Sequence, residues 1–83
     1  MDLCSTIGAN IRRLRTARGL SQEELAYRAG IDRSYLSEIE NGKKNLGVLV
    51  LEAIAAALDV EAVALFKGYR RNAAKSGERS RDV

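Results

Sequence analysis

Apolar residues at the start of the chain recur at the three- and four-residue spacing of an α-helix. Ile7, Ile11 and Leu14 fall on one face of a predicted helix over residues 5–18, while the nearby arginines face elsewhere. Gly19 stands where a left-handed residue commonly ends a helix. The pattern therefore predicts an amphipathic first helix that ends at a glycine.

Two short helices are predicted next, between residues 21 and 42. Ser21 and Glu24 have the S-x-x-E spacing of a capping box, which satisfies backbone amides at a helix start. Gly30 closes this helix, and Asp32 can cap a third one that stops at Asn41-Gly42. Two short helices joined around a glycine are the local signature of a helix-turn-helix.

The region from Gly47 to Phe66 predicts one longer helix and a short final element. Gly47 caps a fourth helix that runs to about Leu58, and the chain then enters a final turn or short fifth helix ending at Leu65-Phe66. No strand pattern and no repeat interrupts this order. We expect an all-α, compact five-helix domain over residues 1–66, followed by a tail over residues 67–83.

The cysteine and histidine content narrows the possible chemistry. Cys4 is the single cysteine and there is no histidine, so an internal disulfide is excluded and the usual zinc ligand sets are missing. We expect Cys4 to be an unreactive residue in a fraying N-terminus, and we expect no metal and no cofactor. Without a histidine base, an activated nucleophile or a phosphate-cradling glycine loop, an enzyme is not expected.

The apolar runs also argue against a membrane protein. The longest, at about residues 46–51, is far too short to span a bilayer, and the N-terminus lacks the basic flank of a signal peptide. We expect an unprocessed cytoplasmic protein.

The net charge of +3 is unevenly distributed along the chain. Residues 1–66 hold eight Lys/Arg against nine Asp/Glu, which gives −1, and residues 67–83 hold six against two, which gives +4. We expect the tail to be largely disordered, and its basic residues either add phosphate affinity or form a solvated, flexible end. Any DNA-binding interpretation must therefore depend on where individual charges lie. The basic residues of the tail include Arg70, Arg71, Lys75, Arg79 and Arg81.

Two runs in the helix-turn-helix region resemble the Cro/XRE family of phage and bacterial repressors. They are GLSQEELA at residues 19–26 and GIDRSYLSEIENGK at residues 30–43, and the resemblance extends over residues 7–66. The capping box, the helix spacing and the terminal Leu65-Phe66 agree in order and distance. The resemblance implies a lambda-repressor-like fold and a regulator that binds double-stranded DNA.

The outward positions of the third helix are the candidates for reading bases. A recognition helix enters the major groove while its inner face, here Leu36 and Ile39, packs on the protein. Arg33 can donate two parallel hydrogen bonds to guanine O6 and N7, which is worth about 1–3 kcal/mol of discrimination. The alternative for Arg33 is a solvated surface arginine. The outward set is Arg33, Ser34, Ser37 and Glu38.

The other residues of this helix each allow two interpretations. Ser34 and Ser37 contact bases or phosphates, or are neutral exposed residues. Glu38 accepts a hydrogen bond from cytosine N4, or repels the DNA backbone and so excludes wrong sites. Tyr35 packs on the groove wall with its hydroxyl on a phosphate, or is a partly buried core tyrosine.

Phosphate contacts, which fix the register of a protein on DNA, are expected on both sides of the recognition helix. Gln22 opens the second helix, and the resemblance assigns this position to the DNA backbone. A polar, doubly basic loop follows the third helix, and the alternative for its lysines is a solvated turn. The loop residues are Asn41, Lys43, Lys44 and Asn45.

The resemblance gives Arg15 and Glu40 a structural role. In the family such a pair is buried and ties the first helix to the end of the third. Removing one partner would leave a buried charge unpaired and cost about 3–5 kcal/mol.

The fourth helix is richer in apolar residues than one core requires. One stripe, expected to face inward, consists of Val48, Leu51, Ile54, Ala55 and Leu58. A second stripe at spacings of four and three indicates a homodimer, which would place two recognition helices about 34 Å apart, one DNA turn. The alternative is an alanine-rich helix that merely favours helicity. The expected interface residues are Leu49, Val50, Ala53 and Ala56.

Leu46-Gly47 stands where the family commonly has a proline and a serine. With the run Asp32-Arg33-Ser34-Tyr35, this is similar to the controller proteins of restriction-modification systems. The competing hypothesis is an antitoxin-like module whose main partner is another protein. Because no second domain is evident, no small-molecule ligand is expected.

Overall fold

A computed structural model describes residues 2–71 of the chain as four α-helices and a final 3-10 turn, with no strand in that range. The all-helical prediction is confirmed, and the expected fifth helix is a single 3-10 turn. Residues 72–83, which carry most of the predicted tail, lie outside the described range. The elements are α1 (Leu3–Ala17), α2 (Gln22–Ala29), α3 (Arg33–Glu40), α4 (Val48–Ala57) and the 3-10 turn (Ala62–Phe66).

The first helix begins earlier than the hydrophobic pattern predicted. Asp2 is its N-cap, and the Asp2 side chain accepts a hydrogen bond from the backbone N–H of Ser5 at 2.7 Å. This cap adds the residues before position 5 to the helix. Cys4 therefore lies half-buried in the first turn of α1 and not in a fraying end.

The start of α2 has the predicted capping box, whereas the start of α3 differs from expectation. Ser21 Oγ accepts from the backbone N–H of Glu24 at 3.0 Å, and Glu24 Oε1 accepts from that of Ser21 at 2.9 Å. Asp32 is the N-cap of α3, but its side chain bonds no helix amide. Its carboxylate accepts instead from Ser34 Oγ at 3.3 Å, so Asp32 occupies the predicted cap position without a side-chain capping bond.

The core lies where the four helices and the 3-10 turn meet. α1 packs against α3 and the 3-10 turn, and α2 packs against α3 and α4. Leu36 and Ile39 are buried, which confirms the predicted inner face of α3. The largest fully buried side chains are Ile11, Leu25, Leu36, Ile39, Ile54, Leu58 and Leu65.

The beginning of α4 is more exposed than its pattern predicted. Val48 was expected to face inward, but 78% of its surface is exposed, the same fraction as for Leu49. Side chains on a helix tilt toward its N-terminus, so the first residue of α4 points past the end of the core. An apolar surface therefore remains at this end of the helix.

Two residues inside α1 fix its position against the other elements. A Cβ atom on Gly8 would overlap the carbonyl oxygen of Ile39 and approach that of Glu40 to 2.8 Å. Asn10 Nδ2 donates to the carbonyl oxygens of Leu65 and Lys67, both at 2.9 Å. Gly8 thus allows α1 to lie close to the end of α3, and Asn10 joins α1 to the end of the 3-10 turn.

Among residues 2–71, none of the helices combines the length and the apolar character needed to cross a membrane.

Candidate nucleic-acid interface

The outer face of α3 is open to solvent along most of its length. Arg33, Ser34 and Glu38 are exposed and Ser37 is half-buried, while Leu36 is fully buried on the opposite face. No segment of residues 2–71 covers this surface. The helix can therefore approach a duplex with its polar face without any rearrangement of the described chain.

Arg33 is the first residue of α3, and within residues 2–71 its guanidinium makes no ion pair or hydrogen bond with another residue. All of its donors remain available to an external acceptor. Ser34, by contrast, donates its hydroxyl proton to Asp32. Ser34 can therefore act toward a ligand mainly as an acceptor.

Glu38 and Lys44 form an ion pair across the end of α3. Lys44 Nζ lies 3.7 Å from Glu38 Oε1, and both side chains are about half exposed. A surface pair of this kind contributes about 0–1 kcal/mol. Lys44 can therefore leave Glu38 for a stronger anion at little cost.

The polar loop after α3 lies directly beside the end of that helix. The backbone N–H of Lys43 donates to the carbonyl oxygen of Glu38 at 2.9 Å, and Gly42 turns the chain with a φ of 75°. Gly42 also lies against Ser5, which would be 2.8 Å from an added Cβ atom. The four predicted phosphate-contact residues of the loop, Asn41, Lys43, Lys44 and Asn45, are all exposed.

Tyr35 is half-buried and packs against the hydrophobic core. Its ring therefore contributes to the fold, as one of the two interpretations of the sequence had it. The part of its surface that is not buried remains accessible at the start of α3.

Arg15 and Glu40 form a buried two-point ion pair. Arg15 Nε donates to Glu40 Oε2 at 2.7 Å, and the Nη2 atom of Arg15 donates to Oε1 at 3.0 Å. The third guanidinium nitrogen, Nη1, donates to the carbonyl oxygen of Leu20 at 2.8 Å. The pair thus joins α1, the turn before α2 and the last residue of α3.

Gln22 contacts this ion pair, a relationship that the sequence did not reveal. Its Nε2 atom donates to Glu40 Oε1 at 3.0 Å, across 18 residues of chain. The side chain is half-buried at the first position of α2. Part of its hydrogen-bonding capacity is therefore used inside the protein.

Two pKa shifts arise at helix starts. The backbone N–H of Ser21 donates to Glu24 and holds the pKa of that carboxyl below its usual value, and Ser5 does the same for the pKa of Asp2. Both shifts arise because the carboxylate accepts a hydrogen bond from a backbone N–H at the start of a helix. No group of three potential metal-ligating side chains occurs within residues 2–71.

Sequence comparison places these features beside known helix-turn-helix proteins. A profile of the helix-turn-helix family HTH_3 matches residues 11–65. An uncharacterized HTH-type transcriptional regulator, y4dJ of Sinorhizobium fredii, is 43% identical over 65 residues, which cover 78% of this chain and 84% of the relative.

Two solved structures are similar to this chain in both fold and sequence. The restriction-modification controller protein C.AhdI from Aeromonas hydrophila is 44% identical with a TM-score of 0.74, over 76% of this chain and 96% of the other. The controller protein C.Esp1396I, solved as a tetramer with its natural 35 base-pair operator, is 37% identical with a TM-score of 0.73. That match covers 81% of this chain and 88% of the other.

Proposed function

The chain belongs to the Cro/XRE-type helix-turn-helix family HTH_3, and on that premise we propose that it is a sequence-specific regulator of transcription that binds double-stranded DNA. The observation that carries the proposal is the uncovered polar face of α3, anchored from behind by Leu36 and Ile39. A helix held in this way fits the major groove of B-DNA.

In the proposed complex, the four outward residues of α3 meet base edges. Arg33, with its unpaired guanidinium, donates to guanine O6 and N7, the commonest specific contact in the major groove. Ser34, which donates its hydroxyl proton to Asp32, accepts from a base, and Ser37 contacts neighbouring bases or phosphates. Glu38 either accepts from cytosine N4 or disfavours sites that bring a phosphate close to it.

The DNA backbone is held on both sides of α3. Gln22, at the start of α2, takes one phosphate, and the polar loop takes another through Asn41, Lys43, Lys44 and Asn45. Tyr35 adds the exposed part of its ring at the groove edge. These contacts set the register of the protein and carry no sequence information themselves.

We further propose a homodimer whose interface includes the exposed start of α4. Leu49 supports this because 78% of its surface is exposed, and Ala56 is exposed farther along the same helix; Val50 and Ala53 are half-buried. A two-fold dimer would present two recognition helices to a palindromic operator at a spacing of about 34 Å.

Regulation would follow from occupancy of a promoter, without a chemical step, a metal or a small-molecule ligand. The similarity to C.AhdI and C.Esp1396I supports control of restriction-modification genes as the specific role. Such a protein would act in the cytoplasm, where the DNA lies. An antitoxin-like protein-interaction module is the alternative, and it would not depend on Arg33.

Selection of bound duplexes from a random pool tests the proposal. The wild-type chain should enrich a palindromic site, and Arg33→Ala should lose that selectivity. Arg28→Ala is the matched control, because Arg28 is also an exposed arginine but lies at the end of α2. Failure of the wild-type chain to enrich any two-fold-symmetric site would overturn the proposal.

A further inference from the structure

We propose that Glu40 positions the side-chain amide of Gln22 for a DNA phosphate, so that the buried ion pair with Arg15 also organises a DNA contact. The inference rests on the function proposed above. It assigns to Arg15 and Glu40 a positioning role in addition to the joining of helices.

The Glu40 carboxylate is held in place by the groups around it. Its two oxygens accept three hydrogen bonds, two from Arg15 and one from Gln22, at 2.7 to 3.0 Å. Its side chain is only 1% exposed. Because Arg15 is held in turn by the carbonyl oxygen of Leu20, the carboxylate has little freedom to rotate.

A fixed carboxylate determines the orientation of the Gln22 amide. An ionised carboxylate only accepts hydrogen bonds, so the Nε2 side of the amide must face Glu40 and the oxygen must face away. One Nε2 proton is used in the 3.0 Å bond, and the second remains for another acceptor. A phosphate oxygen suits that proton, because the start of α2 also favours an anion.

A side chain that is ordered before binding loses less conformational freedom on binding. Freeing Gln22 from Glu40 should therefore weaken DNA binding by about two- to tenfold, the range for immobilising one flexible side chain at an interface. Gln22→Ala should weaken binding by removing the contact itself. Once Gln22 is absent, disrupting Glu40 should have no additional effect on the phosphate contact.

A double-mutant cycle on the selected duplex measures this coupling. Its variants are Gln22→Ala, the paired replacement Arg15→Met with Glu40→Met, and all three changes together. The paired replacement is used because exchange of a buried ion pair for apolar residues commonly preserves the fold. If the paired replacement reduces stability, the amide resonances of Gln22 in the wild-type chain remain the test, because they require no substitution and no unpaired charge on Arg15.

Lys44→Ala provides the matched control. Lys44 is a predicted phosphate contact on the loop after α3 and makes no hydrogen bond with Glu40. If Glu40 acts on Gln22, the effect of replacing Glu40 on DNA affinity should depend on whether Gln22 is present. The same replacement should be additive with Lys44→Ala. Equal coupling to both would mean that Glu40 acts through the general position of α3, and the proposal would be overturned.

Nuclear magnetic resonance of the free protein gives a readout that is independent of DNA. The Nε2 protons of Gln22 should have shifts distinct from those of solvated glutamine, and these shifts should collapse in the Arg15→Met, Glu40→Met variant. Solvated shifts in the wild-type chain would refute the positioning even if DNA binds. Absence of any selected duplex would overturn the proposed function, while this spectrum would still test the positioning.

Discussion

Gly8 in α1 lies directly against the carbonyl oxygen of Ile39 in α3, with no room for even a methyl group between the helices. The contact is next to Glu40, the residue that pairs with Arg15 on the same two helices. The distance between α1 and α3 is therefore set by a backbone contact at Gly8 and by a buried ion pair at Arg15.

Gly8→Ala should destabilise the protein. The added Cβ atom meets two backbone carbonyls that cannot rotate away, and such overpacking costs about 1–3 kcal/mol. The loss should appear in urea unfolding even though alanine favours a helix by about 1 kcal/mol over glycine. Gly47→Ser is the control, since nothing lies within 4 Å of a Cβ atom there and serine is a good N-cap. A gain of about 1 kcal/mol in Gly8→Ala, which is the full helix preference of alanine over glycine, would refute the close approach.

Glu24→Gln should reduce the loss of stability in acid. The Ser21 backbone N–H lowers the pKa of Glu24 in the folded state, so the ionised carboxylate stabilises the fold. This contribution is present above the ordinary glutamate pKa of about 4.3 and is lost as the pH falls through the lower folded-state value. Thermal unfolding at neutral pH and near pH 3 should show a larger drop for the wild-type chain than for Glu24→Gln. Parallel pH profiles would contradict the assignment.

Glu38→Ala should raise affinity for unrelated duplexes and lower selectivity. The change removes a negative charge from the outer face of α3 and frees Lys44 for phosphate. We expect non-specific binding to tighten by up to about fivefold, the equivalent of about 1 kcal/mol for a surface charge. Fluorescence anisotropy with a selected and a scrambled duplex measures the ratio, and Glu52→Ala, an exposed change on α4, is the control. Unchanged binding of the scrambled duplex would exclude this repulsive role.

Leu49→Glu should dissociate the proposed homodimer. In a two-fold interface the change places a charge on both protomers, each of which loses a leucine contact worth about 1.5–3 kcal/mol. The dimer dissociation constant measured by analytical ultracentrifugation should rise about tenfold or more, and affinity for a palindromic site should fall with it. Tyr27→Glu, an exposed aromatic on α2, serves as the control. If the wild-type chain were a monomer at every concentration, the α4 interface would be wrong.

Features that depend on neighbours in sequence were predictable. The capping box at Ser21 and Glu24, the left-handed Gly19 and the end of α2 at Gly30 were predicted because each is formed within a few residues of chain. The inward face of α3 followed from periodicity. Asp2 was missed as a cap because the apolar pattern begins only after it.

Features that depend on packing between helices could not be predicted. Gln22 and Glu40 meet only because α2 and α3 cross at a particular angle. Periodicity assigned Val48 to the inward stripe but cannot tell where along the axis of α4 the core ends. Asn10 pairs with backbone carbonyls, which have no signature in the sequence. Gly8 is an isolated glycine in a helical pattern, which indicates a close packing contact, but the sequence does not show which residue packs against it.

The division of α3 into an anchored side and an open side has a consequence for how this protein can change. Leu36, Ile39 and Glu40 make the packing contacts, so substitutions at these positions would destabilise the fold. The exposed side chains of Arg33, Ser34 and Glu38 contribute little to the packing of α3. In the proposed complex, a new operator preference could therefore arise by exchanging a few exposed side chains of α3, while the fold stays the same.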